Sequence, residues 1–416
     1  MAVRREVAVA ATERTRILRR RGRIVLQGMP WMVAGMGMMS GRVALAQSSV
    51  ELRYLFYNES DGRTQVSNPT LLLHHELSEA LGQIDLMLSH DSISGASPTG
   101  GYPTLSVTTT TSASGNSSTN AAGKIPMVQY MDERNSQGLT YSRRIGAHLP
   151  SIDLSHSVEK DYTSKTFGLS DAWTMFEGRG TLHYGLSRSD DTVAPVTTSL
   201  RLPKTTNGLS LGWTWVLGED DLLDVGLSRM SLKGDLTEPY LIVPVGNTTQ
   251  VERRPDTRER DAYFIKQAHY FEWDGALKTT YRYYRDDWGI KAHTLDFTYD
   301  QHLDDGWILT PRVRFYTQNA ASFYDSKFTT AQTYMSSDYR LSAFSSILLG
   351  GSLSTEIMEG LTLSVGGTYQ IQQGRDKLTP LQTAATASTP AIYAGPTTSA
   401  ADVNTTTVTV GLKWQY

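Results

Sequence analysis

Beyond residue 46, apolar and polar side chains alternate along most of the chain with a period of two. In the segment GLSLGWTWVLGEDD, Leu209, Leu211, Trp213 and Trp215 share one face, and small or hydroxylated residues occupy the other. An alternating run of about ten residues that ends in a tight turn is typical of a β-strand with one apolar face. Because such runs recur to the end of the chain, the sequence predicts an all-β protein.

The connections between the predicted strands alternate in length. Short turns such as EGRG (177–180) and EWDG (272–275) alternate with connections that are mostly longer, such as 234–259 and 319–338. About 16 strands account for the pattern, with the short turns at one end and the longer loops at the other. This asymmetry predicts a transmembrane antiparallel up-and-down β-barrel of the bacterial outer membrane, with short periplasmic turns and longer extracellular loops.

The segment VTVGLKWQY (408–416) places Leu412, Trp414 and Tyr416 on one face. Hydrocarbon offers backbone N–H groups no partner, so a spanning sheet must close on itself. We therefore expect this strand to pair with the first one and to place its terminal aromatic ring at the membrane interface. A strand of this kind resembles the targeting signal of outer-membrane barrels, which predicts that these three residues form a C-terminal insertion signal for the barrel-insertion machinery.

Residues 1–46 differ in composition from the rest of the chain. Eight arginines in RREVAVAATERTRILRRRGR precede the apolar run IVLQGMPWMVAGMGMM and the small-residue site ALA at 44–46. This order predicts a signal peptide that is cleaved on export and leaves the barrel at 47–416. The alternative is a membrane anchor, but Gly and Pro interrupt the run, which falls short of the roughly 20 apolar residues of a spanning helix.

Composition bears on the choice between a membrane barrel and a soluble, secreted β-sandwich, whose strands also alternate. The chain contains 21 Tyr and 8 Trp, which suits the aromatic girdles of a barrel. Its formal net charge of −3 lacks the strong basic excess of a nucleic-acid-binding protein. Because cysteine is absent, disulfides, Cys-ligated zinc and thiol chemistry are excluded.

Three segments carry a resemblance to a known family: HDSISGASPTG (90–100), YMDERNSQGLTYSRRIG (130–146) and SSDYRLSAFSSILLGGSLS (336–354). They resemble an uncharacterised bacterial family, known only as a domain of unknown function, whose members look like outer-membrane β-barrels. The resemblance implies this fold for roughly residues 50–416 and implies no activity. Its most specific part is the SGASP element, and we identify an outer-loop motif there: Asp91, Ser94, Gly95, Ser97 and Pro98.

Glycine and proline in the SGASP element are residues that set turn geometry. We therefore expect the element to end the third strand and to open a long Gly/Ser/Thr-rich outer loop at 94–135. One hypothesis is that this loop folds into the lumen and narrows it. The alternative is a tight turn that leads into a solvated loop.

Charged residues recur on the polar face of the predicted strands. In a ring of about 16 strands this face encloses a lumen wide enough for a channel, unless the lumen is plugged. Three successive strands carry a basic, an acidic and a basic row, which together create a transverse field that can orient a solute. The alternative is a neutralising network that stiffens the wall. The predicted lumen-lining residues are Asp85, Lys278, Arg282, Asp296, Asp300, Arg312 and Arg314.

His90, Asp91 and Ser92 are the three residue types of a hydrolase triad. Neighbouring residues on a strand point to opposite faces, so His90 and Ser92 lie on one face and Asp91 on the other. Because no third group orients the base locally, we expect that the protein is not an enzyme.

His74, Glu76 and Asp85 offer ligand types that some metal ions accept. A hydrogen-bonded polar cluster is the more common role for such residues. We therefore predict neither a metal site nor a cofactor.

Together these features predict an outer-membrane channel or transporter that passes or binds a small solute, with outer-membrane lipid as its surroundings. Two alternatives remain. One is a lipase-like outer-membrane enzyme that uses rim residues around His90 and Ser92. The other is a structural barrel whose outer loops anchor a partner protein.

Overall fold

The computed structural model describes residues 48–78, 80–103, 107–378, 381–383, 392–393 and 397–416. Within these ranges sixteen antiparallel strands form one closed barrel, in which each strand pairs with its neighbours in the chain and the first pairs with the last. The predicted all-β barrel of about 16 strands is therefore confirmed. The predicted signal peptide at 1–46 lies outside the described residues.

The strands β1 to β16 follow chain order around the barrel. Their bounds are Ser49–Glu59, Gln65–Ser78, Gly82–Pro98, Met127–Ser142, Ser151–Val158, Tyr162–Met175, Gly180–Val193, Leu202–Val216, Asp221–Gly234, Thr257–Phe271, Gly275–Asp286, Lys291–His302, Ile308–Gln318, Phe344–Met358, Leu361–Gly374 and Val403–Gln415. Short 3-10 turns lie at Ser60–Gly62, Phe176–Gly178, Asp304–Gly306 and Tyr339–Leu341. No helix in the described part of the chain is long and apolar enough to cross a membrane.

The period-two pattern of the sequence becomes the two faces of the barrel wall. On β8, the side chains of Leu209 and Trp215 are 47% and 51% exposed, whereas Ser210 and Gly212 between them are less exposed. The same holds around the ring, where exposed Leu, Val, Ile and aromatic side chains recur on the outer face and form an apolar belt. An apolar belt of this extent is what a barrel presents to lipid hydrocarbon.

The two ends of the barrel differ in the way predicted. At one end, the short-turn end, connections such as 176–179 and 272–274 join the strands. At the other, the long-loop end, the chain runs through 235–256, 319–343 and 375–402, and short two-stranded hairpins form in the loops. One such hairpin pairs Ile242–Val245 with Thr248–Val251.

The largest predicted loop, 94–135, is shorter in the structure. The strand β3 extends to Pro98 and pairs in register with β4, which already begins at Met127, so the connection is 99–126. Gly95 has a φ of +132°, and a Cβ there would lie 1.9 Å from the Arg63 carbonyl oxygen, so its role is to let two backbones approach. Pro98 takes the last strand position, where proline is tolerated. The SGASP element therefore continues the strand, which corrects the predicted boundary.

Candidate functional site in the barrel interior

The inner face of β9 to β13 carries a dense row of ion pairs. Arg312 Nη2 and Arg314 Nε lie 2.7 and 2.5 Å from Asp296 Oδ2, and Lys278 Nζ contacts Asp300 Oδ2. The carboxylate of Asp296 is only 7% exposed. The strand register explains these contacts, because β12 lies between β11 and β13 and alternation directs all of these side chains to one face. Six residues predicted as lumen-lining thus meet here, five of them in ion pairs.

The sixth of these residues, Arg282, has no such partner. It forms no ion pair or hydrogen bond with any described residue, and its guanidinium carbon lies 5.5 Å from the centroid of the Tyr284 ring. Its side chain is exposed although it lies on the inner face, so this part of the interior is open enough to admit water. Arg260 on β10 also makes no ion pair with a described residue, but it is only partly exposed and its Nε is buried. It is not among the predicted lumen-lining residues, although the predicted loop ends just before it, at residue 259.

Asp85, the seventh predicted residue, lies on the opposite side of the barrel. Its Oδ1 is 2.6 Å from His74 Nδ1, and Glu76 Oε1 lies 3.9 Å from His74 Nε2. The three residues form a cross-strand polar cluster between β2 and β3.

The inner face of β4 to β9 is lined mainly by small and hydroxylated side chains. Ser136 Oγ donates to Ser157 Oγ at 3.1 Å, and Thr166 Oγ1 donates to Ser189 Oγ at 3.1 Å. The following residues share this face by register: Gly138, Ser155, Gly168, Ser187, Gly208, Ser210 and Ser228. The interior thus has one wall dense in ion pairs and another wall with fewer charges and more small and hydroxylated side chains.

Two loops pack together at the long-loop end and form what we call the loop cap, residues 235–256 and 319–343. Val243 and Met335 are fully buried between them, and backbone hydrogen bonds join Arg253 to Met335 in both directions at 3.0 and 2.8 Å. The Ile242 N–H donates to the Thr99 carbonyl at 2.6 Å. Because Thr99 follows β3 and Ile242 follows β9, strands far apart in the ring, this contact bridges the opening.

A buried charge network holds the loop cap together. Asp338 accepts hydrogen bonds from Arg254 at 2.8 Å and Arg340 at 2.9 Å, and Arg254 also contacts Glu252 at 2.8 Å. Burial raises the pKa of Glu252 above its ordinary value, although Arg254 opposes this. Burial also acts to raise the pKa of Asp338, but Arg340 and Arg254 outweigh it and hold the pKa below the usual range. Asp338 is thus the ionised centre of the network.

Three carboxylates lie beside the loop cap. The oxygens of Asp132, Glu159 and Asp161 approach within 4.8 Å of one another, the one group in the described part of the chain arranged to hold a metal ion. Burial raises the pKa of both Glu159 and Asp161. The Tyr240 hydroxyl donates to Asp161 at 2.6 Å and Arg134 lies 3.7 Å from Glu159, so two of the three already have partners and we assign no ion here.

The residues His90, Asp91 and Ser92 do not come together as a triad. Asp91 is buried on the inner face, where it accepts hydrogen bonds from Asn68 and Arg134, both at 2.6 Å. His90 lies on the outer face with its Nδ1 2.9 Å from Asn135 Oδ1. No carboxylate contacts His90 among the described residues, which leaves it without the group that would orient a catalytic base.

At the end of the chain, Leu412, Trp414 and Tyr416 are exposed on the outer face beside β1. The Trp414 and Tyr416 rings lie 5.1 Å apart between centroids. These three side chains form part of the exposed apolar surface at the end of β16.

A family model described as "Protein of unknown function (DUF3570)" matches residues 31–203 and 197–405. No curated protein matches the chain. Among similar solved structures is a bacterial polysaccharide outer membrane secretin, with 8% identity, a TM-score of 0.46 and coverage of 88% of this chain and 98% of the other. CdiB from Acinetobacter baumannii has 8% identity, a TM-score of 0.48 and coverage of 89% of this chain and 61% of the other. OccD3 from Pseudomonas aeruginosa has 10% identity, a TM-score of 0.43 and coverage of 89% of this chain and 91% of the other. At these scores none of them bears on what this chain binds or transports.

Proposed function

The chain belongs to the DUF3570 family of proteins of unknown function, and from this premise we propose that it is a bacterial outer-membrane channel or transporter for a small solute. Its apolar belt suits contact with lipid, and its closed ring leaves no strand edge unpaired. The proposal includes export through the cleaved segment 1–46 and insertion through Leu412, Trp414 and Tyr416.

The observation that carries the proposal is the exposure of Arg282 on the inner face. A charged side chain that faces the interior without a carboxylate partner is stable only if the lumen is hydrated, and Arg282 is exposed there. Around it stand a wall of ion pairs and a wall of hydroxyl groups, both suited to a hydrated solute. The loop cap bridges one end, so the resting channel is narrow.

A catalytic role has less support. The candidate residues His90 and Ser92 lie on the outer face, and the carboxylate next to them is committed to Asn68 and Arg134 on the other face. We therefore retain transport as the proposed function.

Charge reversal distinguishes the two roles suggested for the inner charges, which are to orient a solute and to stiffen the barrel wall. In planar bilayers, Arg282→Glu should shift the reversal potential in a salt gradient toward cation permeability, because its charge is free to act on passing ions. Arg312→Glu should instead destabilise the barrel, since it places a second carboxylate beside Asp296. Lys233→Glu is the control for charge alone, because Lys233 is exposed on the outer face with Thr205 and Thr257 opposite it.

Conductance steps from the wild-type barrel are the first requirement of this experiment. A purified, folded barrel that never conducts would refute the channel and favour an anchoring role. An unchanged reversal potential in Arg282→Glu would remove this residue from the conduction path.

A further inference from the structure

We infer that Arg260 and Arg282 form a binding site in the barrel interior for a small anion bearing a carboxylate or phosphate group. The inference rests on the proposed function, because the anion reaches the site through the lumen. It assigns the class of solute that the channel recognises.

The site stands out because every other cation on the inner face of β8 to β13 has a carboxylate partner. These pairs are Lys204 with Asp191, Arg258 with Asp286, Lys266 with Asp224, Lys278 with Asp300, and both Arg312 and Arg314 with Asp296. Arg260 and Arg282 make no ion pair with any residue that the structure describes. A network built only to neutralise and stiffen the wall does not account for these two charges.

The strand register places the two arginines on either side of one tyrosine. Along β10 and β11, Arg260 is opposite Asp286, Ala262 is opposite Tyr284, and Phe264 is opposite Arg282. Because alternate residues share a face, Arg260, Tyr284 and Arg282 all point to the interior. The Tyr284 ring lies 5.5 Å from the Arg282 guanidinium carbon, and Arg260 lies diagonally across from Tyr284 on the neighbouring strand.

The carboxylate opposite Arg260 in the strand register already has other partners. Asp286 Oδ2 accepts hydrogen bonds from Arg258 at 3.0 and 2.5 Å and from the Tyr284 hydroxyl at 2.8 Å. Its Oδ1 accepts from the Ile290 backbone N–H at 2.8 Å. Asp286 therefore has little capacity left to neutralise Arg260, whose Nε is buried without a hydrogen-bond partner.

The chemistry of the unpaired groups defines the ligand. Arginine stays charged at any physiological pH, and a guanidinium that has no acceptor in the protein but faces an accessible interior can take one from solution. The planar guanidinium matches the two oxygens of a carboxylate or phosphate group in a bidentate contact. Two such groups flanking one aromatic ring favour a small anion and repel a cation.

Binding can be measured by calorimetric titration of the full barrel in detergent micelles with sodium phosphate and, separately, with sodium succinate. We expect saturable binding of at least one anion and none of butane-1,4-diammonium. Arg260→Gln and Arg282→Gln should each weaken binding about tenfold or more, because each removes a charge-assisted contact. The double variant should abolish binding.

Two controls keep the result specific. Arg229→Gln removes the same charge from the outer face and should leave the affinity unchanged. If Arg260→Gln fails to fold, as judged by gel mobility with and without heating, Arg260→Lys keeps the charge, loses the bidentate fork and should still weaken binding.

The inference is overturned if neither anion binds saturably, or if the folded double variant binds as the wild type does. These outcomes are distinct from failure of the proposed function. A barrel that conducts but binds no anion refutes only the site, whereas a barrel that binds the anion and never conducts refutes only the channel.

Discussion

Replacing Asp338 with alanine should release the loop cap and raise the single-channel conductance of the barrel. Asp338 is 3% exposed, accepts hydrogen bonds from Arg254 and Arg340, and caps the short turn Tyr339–Leu341 through the Arg340 N–H at 3.0 Å. Removing it leaves Arg254, whose side chain is 12% exposed, and Arg340 facing each other without the shared carboxylate.

The size of this effect follows from the burial of the groups that lose their partner. Breaking a buried ion pair by removing one partner costs about 3–5 kcal/mol. Because the Arg340 side chain is 58% exposed, water screens part of the loss, and we expect about 3 kcal/mol. Because few other charged contacts hold the loop cap, it should then open more often than in the wild type.

Conductance in planar bilayers and the rate of limited proteolysis within 319–343 both report on this change. Asp261→Ala is the matched control, because Asp261 forms ion pairs with Arg229 and Arg285 on the outer face, away from the loop cap. If conductance and protease resistance stay at the wild-type values in Asp338→Ala, the loop cap does not restrict the opening.

Replacing Leu211 with arginine should destabilise the barrel in lipid by about 2–4 kcal/mol, the cost of a cation at the middle of the apolar belt. Leu211 is exposed on the outer face of β8, where Tyr184 and Leu227 are its cross-strand neighbours. No carboxylate lies opposite this position, and Asp171, one strand further on, already contacts the Tyr184 hydroxyl and His148, so an arginine at 211 would remain largely uncompensated in hydrocarbon.

Denaturant unfolding of the barrel in lipid vesicles measures this difference. Ser231→Arg is the control, because Ser231 lies on the same outer face but nearer the long-loop end, with Glu259 opposite it. We expect its cost to stay below about 1 kcal/mol, as for charged residues near the interface. Equal destabilisation by the two substitutions would show that the belt does not contact lipid.

The sequence predicted the faces of the strands because the period of two is a local property. Alternation alone puts Lys278 and Asp300 on one face, and the structure pairs them across β11 and β12. Which cation finds a partner depends on the register between strands, and the pattern does not encode it. This is why Arg282 and Arg312 looked equivalent in the sequence, although only Arg312 contacts Asp296.

Strand boundaries account for the other differences between the prediction from the sequence and the structure. Arg260 is the first residue after the loop predicted at 234–259, so only the residues on its C-terminal side show the alternation that assigns a face, whereas β10 in the structure already begins at Thr257. The SGASP element was assigned to a loop because glycine and proline more often mark turns, whereas Gly95 serves a close backbone approach. The loop cap depends on contacts between segments far apart in sequence, such as Arg253 with Met335, and these leave no local periodic pattern.

The accessibility of spin labels attached along β8 tests the central claim that apolar side chains face lipid and polar ones face a wet interior. The chain has no native cysteine, so single substitutions can be spin-labelled without background. In lipid vesicles, labels at Leu209, Leu211 and Trp215 should collide mainly with oxygen, and labels at Thr206, Ser210 and Thr214 mainly with a water-soluble nickel chelate. Equal accessibility at all six positions, or the reverse pattern, would contradict the account.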